Sequence, residues 1–147
     1  MRGVAGINVR RRRFEVAAFG SGEYVPPETA RELLLRYASG ERQFHGVDLD
    51  DADLSRVTLD GADFDGSWFS SANFEGASLR GTSFRLCNVK CANFRRADLT
   101  SASFRLSAVE AAEFEGAILL GASFEGADYY GYTVHDGDGF PNSEPGA

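Results

Sequence analysis

Residues 61–84 read GADFDGSWFSSANFEGASLRGTSF, and a large apolar side chain returns every five positions, at Phe64, Phe69, Phe74, Leu79 and Phe84. Helices repeat at about 3.6 residues and strands at 2, so neither keeps a period of five on one face. The same period runs unbroken from Phe44 to Tyr129 and gives eighteen apolar centres: nine Phe, six Leu, two Val and one Tyr. Two residues before each centre from Leu49 onward the side chain is small, and eleven of these seventeen positions are Ala. Two residues after each centre, nine of eighteen positions are Gly. A repeat this long is architecture.

The spacing converts into shape. In three extended residues the small residue and the centre face inward and the residue between them faces water. The remaining two turn the chain, and Gly accepts the backbone angles of a tight corner. Each pentad is then one side of a polygon. A spacing of twenty sorts the centres best: Phe44, Phe64, Phe84, Phe104 and Phe124 form one column, and Leu59, Leu79, Leu99 and Leu119 another. Leu54, Phe74, Phe94 and Phe114 form a third, and Leu49, Phe69, Val89, Val109 and Tyr129 a more mixed fourth. Twenty residues per turn predict four sides, with each coil covering the apolar layer of its neighbour.

The pentads ADLSR (52–56), ADFDG (62–66), ANFEG (72–76), ANFRR (92–96), ADLTS (97–101) and ASFEG (122–126) follow the pattern A(D/N)LXX, and the chain over 44–134 resembles the pentapeptide repeat proteins. The resemblance implies an all-β solenoid, a right-handed quadrilateral β-helix of about 4.5 coils over 41–134. It also implies dimerisation through the C-terminal coil end.

A solenoid needs covers for its first and last layers. The segment 26–40 predicts a capping helix from about Glu28 to Ala38, with Pro26 and Pro27 at its start, Gly40 beyond it, and Ala30, Leu33, Leu34 and Tyr37 on the face turned to the first coil. Residues 1–25 are expected to form an N-terminal arm, disordered over 1–13, with Arg10 to Arg13 as a basic run and 14–25 as a strand against the first coil. Residues 135–147 read as a flexible tail; either it folds back with Phe140, or another subunit covers Tyr129, Tyr130 and Tyr132, the expected homodimer end.

The net charge of −7 is banded: +3 over residues 1–44, −7 over 45–79, +5 over 80–105 and −5 over 106–134, with three further acids in the tail. A negative chain disfavours general binding to phosphate backbones, so direct nucleic-acid binding is not expected. No apolar run has the length to cross a bilayer and no signal segment follows the arginines, which predicts a cytoplasmic protein. His45 and His135 fall at opposite ends, so no catalytic, metal-ligand or cofactor set assembles. Cys87 reads as inward and Cys91 as outward. Outward neighbours one coil apart predict the pairs Asp65 with Arg85 and Arg105 with Glu125.

These features predict a non-enzymatic protein-interaction or scaffold module. Its expected partner surface is an apolar patch on a basic belt: Trp68, Arg80, Arg85, Leu86, Lys90, Arg95, Arg105 and Leu106, with Ile118 and Leu120 also turned outward. The family resemblance supplies an alternative, a DNA mimic that binds DNA gyrase or topoisomerase IV and protects it from fluoroquinolones. Asp48, Asp50, Asp51, Asp53, Asp60, Asp63 and Asp65 would then supply the phosphate-like field.

Overall fold

The structure is a computed structural model and describes residues 23–141; most of the expected N-terminal arm and the end of the tail lie outside them. Within those bounds the regular elements are a helix, α1 (Ala30–Ala38), two strands, β1 (Asp128–Tyr129) and β2 (Tyr132–Thr133), and a 3-10 turn at Asp136–Asp138. The expectation of an all-β, right-handed quadrilateral β-helix of about 4.5 coils is corrected by this content. The one sheet is an open antiparallel pair, β1 with β2, and no wall of the repeat is a regular strand. The reason is the length of the pentad: one residue reaches bridge geometry before a corner ends the run, whereas a strand needs consecutive bridges.

What joins successive repeats is a set of isolated parallel bridges between residues twenty apart, such as Gln43 with Asp63, Asp63 with Ser83 and Ser83 with Ser103. The pentad 62–66 accounts for all five of its backbone donors. Asp63 N donates to Arg42 O at 2.8 Å, while Phe64 N and Gly66 N donate to Ser83 O at 2.8 Å and Arg85 O at 2.9 Å. Ala62 N closes a turn to Leu59 O at 3.1 Å. The fifth, Asp65 N, donates to Asp63 Oδ1 at 3.0 Å. Asn73, Asn88, Asn93 and Asp98 accept in the same way from the amide two residues on, which explains why Asp or Asn recurs at this position.

Each corner is the third residue of a four-residue turn and must take a positive φ. All eighteen corner positions from Gly46 to Gly131 do so; half of them are not glycine, including Arg56 (59°), Leu86 (57°), Leu106 (62°) and Ala111 (60°). An L-residue there costs roughly 1–2 kcal/mol. Packing inside the stack offsets that cost. Phe44, Phe64, Phe69, Phe74, Phe84, Phe94 and Phe104 are fully buried. Within the Phe84, Phe104, Phe124 column the rings are nearly parallel with centroids 5.0 Å apart, and across columns Phe94 meets Phe104 edge-on at 5.2 Å.

α1 covers the first layer. Thr29, not proline, caps it: its Oγ1 accepts from Glu32 N at 3.0 Å, and Glu32 reaches back to Glu28 N at 3.0 Å. Leu33 is buried, Ala30, Leu34 and Tyr37 pack against the core, and Tyr37 Oη donates to Asp60 O at 2.8 Å. Gly40, at φ 107°, ends the helix, and Arg36 grips Glu41 through two hydrogen bonds of 2.9 and 2.7 Å.

Two opposite substitutions test the corner constraint. A Cβ on Gly61 meets nothing within 4 Å, so Gly61→Ala should lower stability through its backbone alone, by about 1 kcal/mol. At exposed Ala111, Ala111→Gly should raise stability by a few tenths to about 1 kcal/mol. Urea unfolding of the two variants reads both signs. Phe84→Ala, which opens a fully buried site, should cost about 3–5 kcal/mol in the same assay.

Candidate functional site

The corner column that begins at Gly46 and Gly66 continues with two leucines, Leu86 and Leu106, and returns to Gly126. Leu86 is 55% and Leu106 50% exposed, and the Leu106 side chain lies over the face of Gly126, where a Cβ would meet its Cδ2 at 2.7 Å. Arg85 and Arg105 precede the two leucines directly. Trp68, 44% exposed, stands just beyond the same corner, bridged to Asp48 below and Asn88 above, as the alternation of side chains predicts. Lys90 shares its wall. Arg80 and Arg95 stand on other walls, so the expected partner surface is divided: Trp68, Arg85, Leu86, Lys90, Arg105 and Leu106 come together and the other two do not.

The basic band is not a bare positive belt. Arg80 reaches Asp98 at 3.3 Å, Arg85 reaches Asp65 at 3.4 Å, Lys90 reaches Glu110 at 3.8 Å and Arg95 reaches Glu113 at 3.9 Å, while Arg96 pairs with Glu75. The Asp65 pair matches the reading of the sequence. The expected partner of Arg105 does not: Glu125 bonds His135 instead, and an Arg105 Nη lies 3.5 Å from Ser123 Oγ. The aspartates of the preceding acidic band also have internal work. Asp60 accepts from Ser78 Oγ at 2.6 Å and Arg80 N at 2.9 Å, Asp50 accepts from Ser70 N at 2.7 Å, and Asp65 accepts from Ser83 Oγ. Hydrogen bonds, first from the Thr100 hydroxyl, hold the Asp98 carboxyl below its ordinary value.

Cys87 is buried and its Sγ donates to Phe64 O at 3.0 Å; burial pushes the thiol up to about 12, which keeps it protonated and unreactive. Cys91 is exposed, and the two form no disulfide. Among the described residues no group of His, Cys, Asp or Glu has the arrangement to hold a metal ion, and no helix is long and apolar enough to cross a membrane.

With this geometry the comparisons with known proteins agree. The sequence profile of the pentapeptide repeats matches eight copies, over residues 43–76 and 69–105. A pentapeptide repeat protein from Nostoc, alr5209, is 34% identical over 72% of this chain and 84% of its own, with a TM-score of 0.55. The chain belongs to the pentapeptide repeat family. A pentapeptide repeat protein of the Arabidopsis thaliana thylakoid lumen shares the fold, at 24% identity over 66% of this chain and 68% of its own, with a TM-score of 0.58. No curated protein sequence matches. Pentapeptide repeat proteins are structural and protein-binding, not catalytic.

At the C-terminal end of this pentapeptide repeat protein the tail, read as flexible with folding back through Phe140 as one of two alternatives, folds back in its described part. Phe140 packs on Phe124 and Tyr129 at 5.2 Å each and on Phe114 at 6.3 Å. Asp136 Oδ1 accepts from Phe124 N at 2.8 Å, so a carboxylate takes the place that the carbonyl of a further coil would fill. Sequence reading missed this role, because nothing in a pentad pattern marks a side chain that imitates backbone. The same segment leaves Tyr130 and Tyr132 67% and 56% exposed, and with Tyr129, Asp138 and Phe140 they line a groove of about 490 Å³.

His135 joins this cap through Nδ1, 2.7 Å from Glu125 Oε2, and that hydrogen bond raises its pKa from the ordinary 6.5 while lowering that of Glu125 from 4.5. A raised histidine contributes stability fully below its ordinary pKa and loses it as pH rises through the folded value; a lowered carboxyl contributes above its ordinary value and loses it on acidification. The pair is therefore strongest between the ordinary values of 4.5 and 6.5. In thermal melts His135→Ala should cost most in that window, with the difference from the parent shrinking toward pH 8. A difference that grows with pH would contradict the pairing.

Proposed function

We propose that this pentapeptide repeat protein is a non-enzymatic protein-interaction or scaffold module whose partner binds the corner formed by Leu86, Leu106, Arg85 and Arg105, with Trp68 beside it. The observation that carries this reading is the pair of half-exposed leucines at φ 57° and 62°. Glycine takes half of the corner positions and needs no left-handed strain there, so a branched apolar residue at two successive levels spends stability while leaving much of its side chain in water. Exposed apolar side chains beside arginine have the composition of interface cores.

The gyrase- or topoisomerase IV-directed alternative has less support. Asp60 and Asp65 already bond Ser78 and Ser83 of the next coil and Asp63 bonds its own backbone, and the bases from Arg80 to Arg105 interrupt the negative surface that a duplex mimic would need to continue. Supercoiling assays with the added protein should show neither inhibition of gyrase nor protection from a fluoroquinolone.

The double variant Leu86→Gly/Leu106→Gly separates binding from folding. Relief of the left-handed strain offsets the lost burial, so its stability should stay within about 1 kcal/mol of the parent. Partner proteins captured from the native host by the parent should be lost by the variant. A variant that unfolds, or that captures the same proteins undiminished, would remove the corner from consideration.

A further inference from the structure

The last coil ends in two unlike halves. Over 123–134 the edge is closed: Phe124 N meets Asp136, Gly126 N donates to Val134 O at 2.8 Å, and β1 pairs with β2. Over 112–121 it is open. One coil below, Phe94 N donates to Glu113 O at 2.8 Å and Leu99 N to Ile118 O at 2.8 Å, while Ala92 O and Ala97 O accept from Glu113 N and Ile118 N at 3.0 and 2.9 Å. The equivalent donors of Phe114, Gly116, Leu119 and Gly121, and the equivalent carbonyls of Ala112 and Ala117, have no backbone partner among the described residues.

Side chains mark the same half. Leu59, Leu79 and Leu99 are fully buried, but Leu119, next in their column, is only partly covered. Phe140 lies against Phe114, Phe124 and Tyr129. Ile118 is 53% and Leu120 75% exposed on either side of Leu119, and Glu113 and Glu115 are exposed beside Phe114.

The geometry points to residues 112–121 as a docking edge for an extended segment of a partner protein, which adds in parallel as one further level. The segment sets an apolar side chain over Leu119 and basic side chains by Glu113 and Glu115. A peptide main chain is the ligand that offers acceptors and donors alternating in this register, and an exposed row of unpaired amides and carbonyls is the template for such addition. The two glutamates and the two exposed aliphatic residues set the chemistry of the incoming side chains. A second copy adding head to tail is blocked, because α1 already covers the opposite end. The edge is separate from the Leu86 and Leu106 corner and stands whether or not that corner binds.

The probe is a synthetic peptide, ANFRRADLTS, the sequence of residues 92–101, which underlies 112–121 and carries the pentad register, Phe94, Leu99 and two arginines. Added to the isotope-labelled full chain, it should slow amide exchange at Phe114, Gly116, Leu119 and Gly121. Ile118→Lys/Leu120→Lys should weaken its binding at least about tenfold with thermal unfolding unchanged, and Glu113→Lys/Glu115→Lys should weaken it through charge. The proposal is overturned by no protection at millimolar peptide, by equal protection from a scrambled peptide, or by protection confined to Tyr129, Tyr130 and Tyr132. Protection of the four amides that rises with protein concentration in the absence of peptide would make a second copy the occupant and would equally overturn it.

Discussion

The structure depends on one contact repeated along the chain: the amide of each pentad centre from Phe44 to Val109 meets the carbonyl nineteen residues later, as Phe64 meets Ser83 and Phe84 meets Ser103. That contact fixes everything else. It places Phe64 over Phe84 inside the stack and Asp65 beside Arg85 outside it. It also forces a left-handed corner every five residues, because the inward face is regained only if the chain turns. A single such bond contributes little net stability. The stack holds because every level repeats the bonds and buries the rings of its neighbour.

The repeat was legible because packing is periodic and the sequence shows the period: Phe44 to Phe124 and Leu59 to Leu99 stand in the columns that their spacing of twenty assigns. The helix was legible from the Leu33 face, though its start was misjudged because Thr29 and Glu32 form the cap and the prolines stand before it. Assigning walls of β-strand went too far, since a run of three residues between corners leaves room for one bridge. The residue between the small position and the centre was read only as facing water, whereas Asp63, Asn73 and Asn93 also bond their own backbone two residues on.

The candidate surface was legible only in part. Leu86 and Leu106 are exposed as their offset from the centres implies, and Trp68 faces outward for the same reason. The basic belt summed along the chain is largely paired with carboxylates. In space Arg80, Arg85, Lys90 and Arg95 each meet a carboxylate eighteen or twenty residues away, so the net charge of a segment does not describe the potential of a wall. The tail was least legible. Folding back with Phe140 was one of the two arrangements read for it, but the cap also depends on Asp136 imitating a carbonyl.

Strain and edges mark where this chain departs from what its fold needs. Glycine suffices at a corner, yet Leu86 and Leu106 occupy two of them; a closed end would suit a stable stack, yet over 112–121 the outward amides of Phe114, Gly116, Leu119 and Gly121 have no backbone partner among the described residues. Both features presuppose the same register. Scalar couplings across hydrogen bonds measure it directly, between the amide nitrogen of Phe64 and the carbonyl carbon of Ser83, and equally from Phe84 to Ser103 and from Leu79 to Asp98. The account predicts all three couplings. Their absence, together with couplings from these amides to carbonyls four residues earlier, would replace the stack by helices and contradict it.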